Sequence, residues 1–199
     1  MSKNLAISIL VAIVVGLGAY FFFGQPMLFT IQSPIVISRE EITPKPFDPL
    51  NATYSIDEEA FTLTNGKSET ELVPGSAIKD EIETFGKAIL GDLDRDGKDD
   101  AAILFMENSG GTGIFYYVAA ALRTSKGALG TNAIFLGDRI APQTLEIRNN
   151  IIIVNYADRK ENEPMAAQPS VGVTKYFVVS QNILRETENI PQPNETADQ

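Results

Sequence analysis

The chain has 199 residues, of which none is cysteine and none is histidine. It therefore has no disulfide, no Ser-His or Cys-His nucleophile pair, and no thiolate or imidazole ligand for zinc or iron. Its 26 acidic and 16 basic residues give a formal net charge of -10. That charge opposes binding to nucleic acid or anionic lipid and favours cations, so any metal ion would be held by oxygen atoms.

Residues 5–23 form an uncharged apolar segment near the N-terminus. At ~1.5 Å of rise per residue, a helix of ~19 residues spans about the hydrocarbon core of a bilayer. Lys3 precedes the segment and Arg39 is the first charge after it, so the positive-inside tendency predicts a cytoplasmic stub, residues 1–4, and an exported remainder. We expect a single-pass cell-membrane protein held in the lipid bilayer by a signal anchor. A cleaved signal peptide is the alternative, although residues 20–23 are aromatic where a small-residue cleavage site belongs.

Residues 24–50 contain five prolines, which prevent helix and favour extended chain. We expect them to form a spacer between the membrane and a folded extracytoplasmic domain, residues 51–187. The last residues, 188–199, are polar and lack hydrophobic periodicity, so we expect them to be disordered.

The predicted domain consists of short β-type segments separated by turn residues at intervals of about 8–12 residues. Asn65-Gly66 predicts a tight hairpin between residues 60–64 and 69–73, and Asn149-Asn150 predicts a second tight turn. Residues 78–85 have a weak helical spacing.

The aromatic-rich residues 114–123 are expected to form a central strand, because aromatic and β-branched side chains favour the pleated sheet. Together these segments predict a mainly β domain, an antiparallel sandwich or partly open barrel, preceded by one transmembrane helix.

The segment GDLDRDGKDD, residues 91–100, has the most specific chemical pattern in the chain. Its aspartates alternate, a glycine in the middle permits a sharp turn, and a last aspartate follows, as in a short loop that wraps an ion. Calcium binds about six to eight oxygens from carboxylates and backbone carbonyls. We therefore predict a structural calcium site with the ligands Asp92, Asp94, Asp96, the backbone carbonyl of Lys98, and Asp100.

This loop differs from an EF-hand, because Ile103 stands where a bidentate glutamate belongs and the flanking segments are β-type. It is similar to the β-hairpin calcium loops of integrin-type FG-GAP repeats, although a single copy cannot build a propeller. An acidic exposed turn that binds nothing is the alternative. Without a cation, the clustered carboxylates would repel one another and their pKa values would rise.

The glycine-rich segment 108–117 is more typical of a hairpin loop than of a nucleotide site, since it lacks the Lys-Ser/Thr ending of a P-loop. Ser76 and Lys79 match the S-x-x-K spacing of serine acyl-enzymes, but the partner motifs are missing. Four further carboxylates could supply an acid/base pair for glycoside hydrolysis, although solvated loops are the ordinary explanation: Asp138, Asp158, Glu161 and Glu163.

The order of motifs over about residues 53–186 resembles a bacterial cell-envelope domain of uncharacterised activity. Its members are small exported or lipid-anchored proteins with GDLNGDG-type and GGSGTFYYLA-type segments. In this chain, Ala166-Ala167 replaces a cysteine pair and a helix replaces the lipid tether. The resemblance implies an envelope location and a shared fold, without a reaction. The matching segments are PGS (74–76), GDLDRDGKDDAAIL (91–104), GGTGIFYYVAAAL (110–122), LGDR (136–139) and EPM (163–165).

Two functional classes follow from these patterns. The favoured class is a non-enzymatic, calcium-stabilised module that binds an envelope protein or a cell-wall polymer, because the common nucleophile-base sets are missing. The alternative is a carboxylate-dependent hydrolase of envelope glycans or peptides, which would require a cleft with two unliganded acids. A pilin-like subunit is disfavoured, since the apolar start lacks a processing site followed by Phe and an acidic fifth residue.

Overall fold

The computed structural model describes residues 45–188 except 73, 74, 76 and 77, and all of them belong to one unit of the chain, residues 43–199. The expected stub 1–4, the apolar segment 5–23, most of the spacer and residues 189–199 of the expected disordered tail lie outside the described residues. Within the described part, no helix is long and apolar enough to cross a membrane. The transmembrane segment therefore stays a prediction.

The described residues form one short 3-10 helix and twelve β-strands, and every strand pair is antiparallel. This confirms the expected mainly β, antiparallel architecture. The elements are η1 Pro49–Asn51, β1 Thr53–Ile56, β2 Glu59–Thr62, β3 Lys67–Glu71, β4 Lys79–Gly91, β5 Asp100–Asn108, β6 Phe115–Thr124, β7 Gly127–Gly130, β8 Ile134–Asp138, β9 Ala141–Arg148, β10 Ile151–Asp158, β11 Val171–Ser180 and β12 Ile183–Thr187.

The strands belong to three sheets. The largest has the order β3-β4-β5-β6-β7, with β8 also paired to β6. The second has the order β12-β11-β10-β9, and the third is the hairpin β1-β2.

The central strands β5 and β6 are buried on both faces, which explains their nearly continuous apolar sequence. Ala102 and Leu104 point to a core shared with the four-stranded sheet. Ile103 and Phe105 point to the opposite core, which is shared with the β1-β2 hairpin. Because successive side chains of a strand alternate between faces, one segment serves two cores and the domain has three layers.

The weak helical spacing of residues 78–85 proves to be a misleading pattern, because β4 covers most of this segment. The pairing of β4 with β5 changes register between Phe85 and Ile89, and Gly86 has a φ of +74° at that point. A bulge adds a residue to one strand and shifts the phase of the inward-facing side chains. The misleading pattern lies before this bulge, where β4 pairs with β5 in regular register. Ile82 packs in the hairpin-side core and Phe85 contacts Tyr116 of the opposite core, so apolar residues three apart reflect two covered faces of a strand.

The turn at Asn65-Gly66 forms as expected, with left-handed φ values of 53° and 82°. It does not join the two strands as one hairpin, because β2 pairs with β1 while β3 pairs with β4. Only the bridge between Thr64 and Lys67 closes the turn. By contrast, the Asn149-Asn150 turn connects the paired strands β9 and β10 and is confirmed, with φ values of 52° and 63°.

The contacts of the domain begin before residue 51. Phe47 packs against the hairpin-side core, and the guanidinium of Arg123 lies 4.1 Å from the centre of its ring. The Tyr54 hydroxyl donates a hydrogen bond of 2.7 Å to the carbonyl of Pro49. The last residues of the expected spacer are therefore part of the folded layer.

Candidate metal centre

The acidic loop connects β4 to β5, whose ends pair at Gly91 and Asp100. It is therefore a strand-to-strand connection, unlike the helix-flanked loop of an EF-hand. Gly91 lets the four-stranded sheet approach its base, because a Cβ there would lie 2.8 Å from the Ile147 side chain. The Asn150 side chain donates a 2.7 Å hydrogen bond to the Asp92 carbonyl. The start of the loop is thus fixed to the β9-β10 turn.

Asp92, Asp94 and Asp100 converge on one point. Each offers a carboxylate oxygen, and the three oxygens lie within 4.8 Å of one another. In a calcium site with metal-oxygen distances of ~2.4 Å, opposite ligand oxygens are about 5 Å apart. The three oxygens are therefore close enough to share one ion.

Backbone amides of the loop hold two of these carboxylates. Asp92 accepts hydrogen bonds from the Arg95 amide at 2.6 Å and from the Gly97 amide at 3.1 Å. Asp94 accepts one from the Asp96 amide at 3.0 Å. Left-handed φ values of 68° at Arg95 and 81° at Gly97 curl the backbone so that these amides point inward.

Asp100 is fully buried and ties the loop to the sheet. One carboxylate oxygen accepts from the Leu93 amide at 2.9 Å and the other from the Arg123 amide at 2.8 Å. Burial raises the pKa of this carboxyl, while the two amide hydrogen bonds oppose the rise and the charge of Asp94 adds to it. A cation bound at this point would favour the ionised form.

Asp96 lies outside the converging group. Its carboxylate accepts from the Lys98 ammonium at 2.6 Å and from the Lys98 amide at 2.8 Å, and the hydrogen bond from the ammonium lowers its pKa. The structure therefore brings together three of the four predicted aspartates. The Lys98 carbonyl, predicted as a further ligand, stays a prediction.

The loop also depends on residues that the sequence pattern did not indicate. Leu93 is buried in the core between the large sheets, and the Arg123 guanidinium donates to the Asp99 carbonyl at 2.8 Å. In the sequence, the apolar Leu93 between two aspartates indicates that the loop is anchored in a core. The contacts from Arg123 and Asn150 come from distant parts of the chain, and no local pattern predicts them.

Three of the four other candidate acids have partners in the described part of the chain. Asp138 forms an ion pair of 3.0 Å with Arg139, as its sequence context indicates, and this contact lowers its pKa. Glu163 accepts a hydrogen bond of 3.0 Å from the Lys160 amide. The guanidinium of Arg159 donates to three backbone carbonyls and fixes the segment that follows it.

The glycine-rich segment connects β5 to β6, which are paired neighbours. Gly110 has a φ of +74°, and its backbone amide donates a hydrogen bond of 3.1 Å to the Asn108 side chain. The segment is therefore a hairpin connection, as its composition favours.

Comparisons of the chain with protein-family models, with curated proteins and with solved structures give no match.

Proposed function

We propose that this chain is a membrane-anchored extracytoplasmic binding module whose β4-β5 loop holds a structural calcium ion. The convergence of Asp92, Asp94 and Asp100 within 4.8 Å carries the proposal. Three carboxylates this close repel one another, and a divalent cation removes that repulsion. Backbone carbonyls and water complete the coordination in calcium loops of this kind.

The site supports a structural role for the ion. Asp100 links the loop to β6 through the Arg123 amide, and Leu93 links it to the main core. An ion bound by Asp100 and by the exposed side of the loop would therefore fasten the ends of β4 and β5 to the neighbouring strand. Binding to the folded state alone stabilises it by mass action.

The apolar segment 5–23 supports the proposed tether to the lipid bilayer, and the charge distribution around it supports an extracytoplasmic position for the domain. An envelope protein or a cell-wall polymer is the proposed partner. The sandwich-like packing of two sheets, extended by the hairpin layer, offers faces and edges for such contacts rather than a nucleophile-base site.

A hydrolase would need two carboxyl groups at a defined separation, either ~5 Å or ~6.5–9.5 Å for the two glycosidase mechanisms. Four acids outside the calcium loop line one cleft: Asp57, Glu59, Asp80 and Glu107. The Ser109 hydroxyl lies 3.0 Å from a carboxylate oxygen of Asp80 and 3.4 Å from one of Glu107. A carboxylate-dependent hydrolase is therefore the second candidate, and the binding module is favoured because the chain has no histidine or cysteine to build a common nucleophile-base pair.

Calcium titration by calorimetry tests the metal site on the full chain in a non-ionic detergent. We expect one saturable site in the wild type, loss of its heat in Asp94→Asn, and wild-type binding in Asp99→Asn. Asp99 is an exposed acid of the same loop outside the converging group, so the control removes the same charge. No heat up to millimolar calcium, or equal losses in both variants, would refute the site.

Cysteine labelling tests the topology, because the natural chain has no cysteine. Lys126 lies in the exposed β6-β7 turn, so Lys126→Cys should react with a membrane-impermeant maleimide in intact spheroplasts. Ser2→Cys, in the proposed cytoplasmic stub, should react only after lysis. The reverse pattern would contradict the proposed orientation.

A further inference from the structure

A cleft lies between the β1-β2 hairpin and the β3-β4-β5 side of the six-stranded sheet. Its volume is about 460 Å³, within the range of ~300–1,000 Å³ typical of small-molecule sites. The hairpin contributes one wall and the edge of the sheet the other. The lining residues that the argument uses are Asp57, Glu59, Phe61, Asp80, Glu107 and Tyr117.

The floor of the cleft is a polar network on an otherwise apolar face. Tyr117 is 9% exposed and lines the cleft together with Glu107, and its burial, followed by Glu107, raises the pKa of its hydroxyl. The Ser109 hydroxyl lies 3.0 Å from a carboxylate oxygen of Asp80 and 3.4 Å from one of Glu107. Burial is the largest cause of the raised pKa of the partly buried Glu107 carboxyl.

Three carboxylates among the lining residues act on the pKa of the Tyr117 hydroxyl. Burial is the largest cause of its raised pKa, and the charges of Glu107, Asp57 and Asp80 raise it further. Glu59 is a fourth acid, and the described lining residues include no lysine or arginine. The lysines on the neighbouring strands β3 and β4, Lys67 and Lys79, form ion pairs with other acids. The described lining of the cleft is therefore negative.

The spacing of these acidic side chains favours an organic cation over a metal ion. Among the described residues, only Asp92, Asp94 and Asp100 bring three acidic oxygens within 4.8 Å. The acids of the cleft are instead spread around a volume whose walls include apolar side chains, among them Ile56, Phe61, Leu72 and Ile82. A ligand that fits must combine positive charge with an apolar body.

We propose that this cleft binds a small aliphatic ammonium ion. The carboxylates of Asp80 and Glu107 hold one ammonium group beside the Tyr117 hydroxyl, and Asp57 and Glu59 hold a second on the hairpin side. The alkyl chain between them contacts the apolar walls and the partly exposed ring of Phe61, where cation–π attraction adds to the contact. This site is independent of calcium binding at the β4-β5 loop.

The test is a calorimetric titration of the full chain in non-ionic detergent, with and without calcium. Cadaverine and spermidine are the probes, and pentanediol is the uncharged analogue of the same chain length as cadaverine. The variants are Glu107→Gln and Glu59→Gln, with circular dichroism to verify the fold. Glu146→Gln is the matched control, since it removes one carboxylate from β9, where Glu146 pairs with Arg148.

We expect saturable binding of both amines, no binding of the diol, and a loss of affinity of at least about tenfold in Glu107→Gln. Glu59→Gln, at an exposed position that the fold does not need, should weaken binding by about threefold, and Glu146→Gln should leave it unchanged. Equal losses in Glu59→Gln and Glu146→Gln would show non-specific attraction and overturn the proposal. So would diol binding as tight as diamine binding, or no saturation up to millimolar amine.

Discussion

The β4-β5 loop and the hairpin cleft are both acidic, but they arrange their carboxylates in opposite ways. In the loop, three aspartates within nine residues of sequence converge on a point, and their carboxylates accept hydrogen bonds from backbone amides. In the cleft, acids from β4, β5 and the β1-β2 hairpin line a space with apolar walls. Convergence suits an atomic cation with oxygen ligands, whereas dispersion around apolar surface suits an organic cation.

The two regions also differ in how they are built. The loop is one continuous segment between paired strands, so it needs only β4, β5 and their neighbours. The cleft exists only while the β1-β2 hairpin stays on the central sheet, because the hairpin supplies one wall. Substitutions that displace the hairpin should therefore disrupt the cleft and leave the calcium loop intact.

Gly130→Ala should have the largest effect. A Cβ at Gly130 would overlap the backbone carbonyl of Thr53 and lie 2.5 Å from the Tyr54 ring, so the hairpin would have to move. We expect a loss of ~3 kcal/mol in the free energy of unfolding, measured by urea denaturation, with loss of amine binding and retention of calcium binding.

Gly172→Ala is the matched control for that substitution. A Cβ at Gly172 would have no neighbouring atom within 4 Å, and the residue lies in β11 away from the hairpin. Its stability should change by less than about 0.5 kcal/mol. If Gly130→Ala changed stability as little as Gly172→Ala, or if it abolished calcium binding, the claim that only the cleft depends on the hairpin would be wrong.

Asp100→Asn should have the next largest effect. An asparagine has one acceptor oxygen, so either the Leu93 amide or the Arg123 amide would lose its partner inside the protein. We expect a loss of ~2 kcal/mol in the unfolding free energy without calcium and loss of calcium binding, both measured by denaturation and calorimetry. Asp94→Asn, at an exposed position, should remove calcium binding while changing the calcium-free stability little.

The pH dependence of stability should distinguish the empty loop from the filled one. Burial raises the pKa of Asp100 above the ordinary aspartate value of ~3.9, so the folded state holds this proton more tightly than the unfolded state. Its contribution to stability is present below the ordinary value and is lost as pH rises through the raised pKa. Denaturation of the calcium-free wild type should show this loss relative to Asp100→Asn.

Saturating calcium should remove that difference, because the cation favours ionised Asp100. Glu107 also has a raised pKa, from burial, and its contribution should fall with rising pH whether or not calcium is bound. A wild-type curve parallel to that of Asp100→Asn without calcium would contradict the assigned environment of Asp100.

Lys98→Gln should have the smallest effect. It breaks the exposed ion pair with Asp96, which contributes little to folding in water. Removing one positive charge near the loop should strengthen calcium binding by less than about threefold, and the change should shrink as salt is added. A loss of binding would indicate that Asp96 must be held by Lys98 for the ion to enter.

The same contrast explains how much the sequence could predict. The loop was predictable because its aspartates, Gly97 and flanking β-type segments are local, and a strand-to-strand connection brings such residues together. The position of Asp96 outside the converging group was not predictable, since it depends on the side-chain rotamer that pairs Asp96 with Lys98. The antiparallel β architecture was predictable from short segments and turns.

The cleft was not predictable, because Asp80, Glu107 and Asp57 are far apart in sequence and meet only through sheet pairing and the hairpin layer. The burial of β5 and β6 on both faces was not predictable either, because it depends on two layers covering one sheet. The false helical spacing of residues 78–85 arises because Ile82 and Phe85 face different cores of the sheet. In each case tertiary pairing decides the outcome and local periodicity does not.

Backbone amide NMR during calcium titration of residues 43–199 tests the central claim most directly, because it locates the ion. We predict that one equivalent of calcium shifts the amides of Leu93, Gly97 and Arg123, which donate to two of the converging aspartates, Asp92 and Asp100. The amide signals of Glu107 and Tyr117, which line the cleft, should not shift. No shift in the loop up to millimolar calcium, or shifts confined to the cleft, would contradict the account.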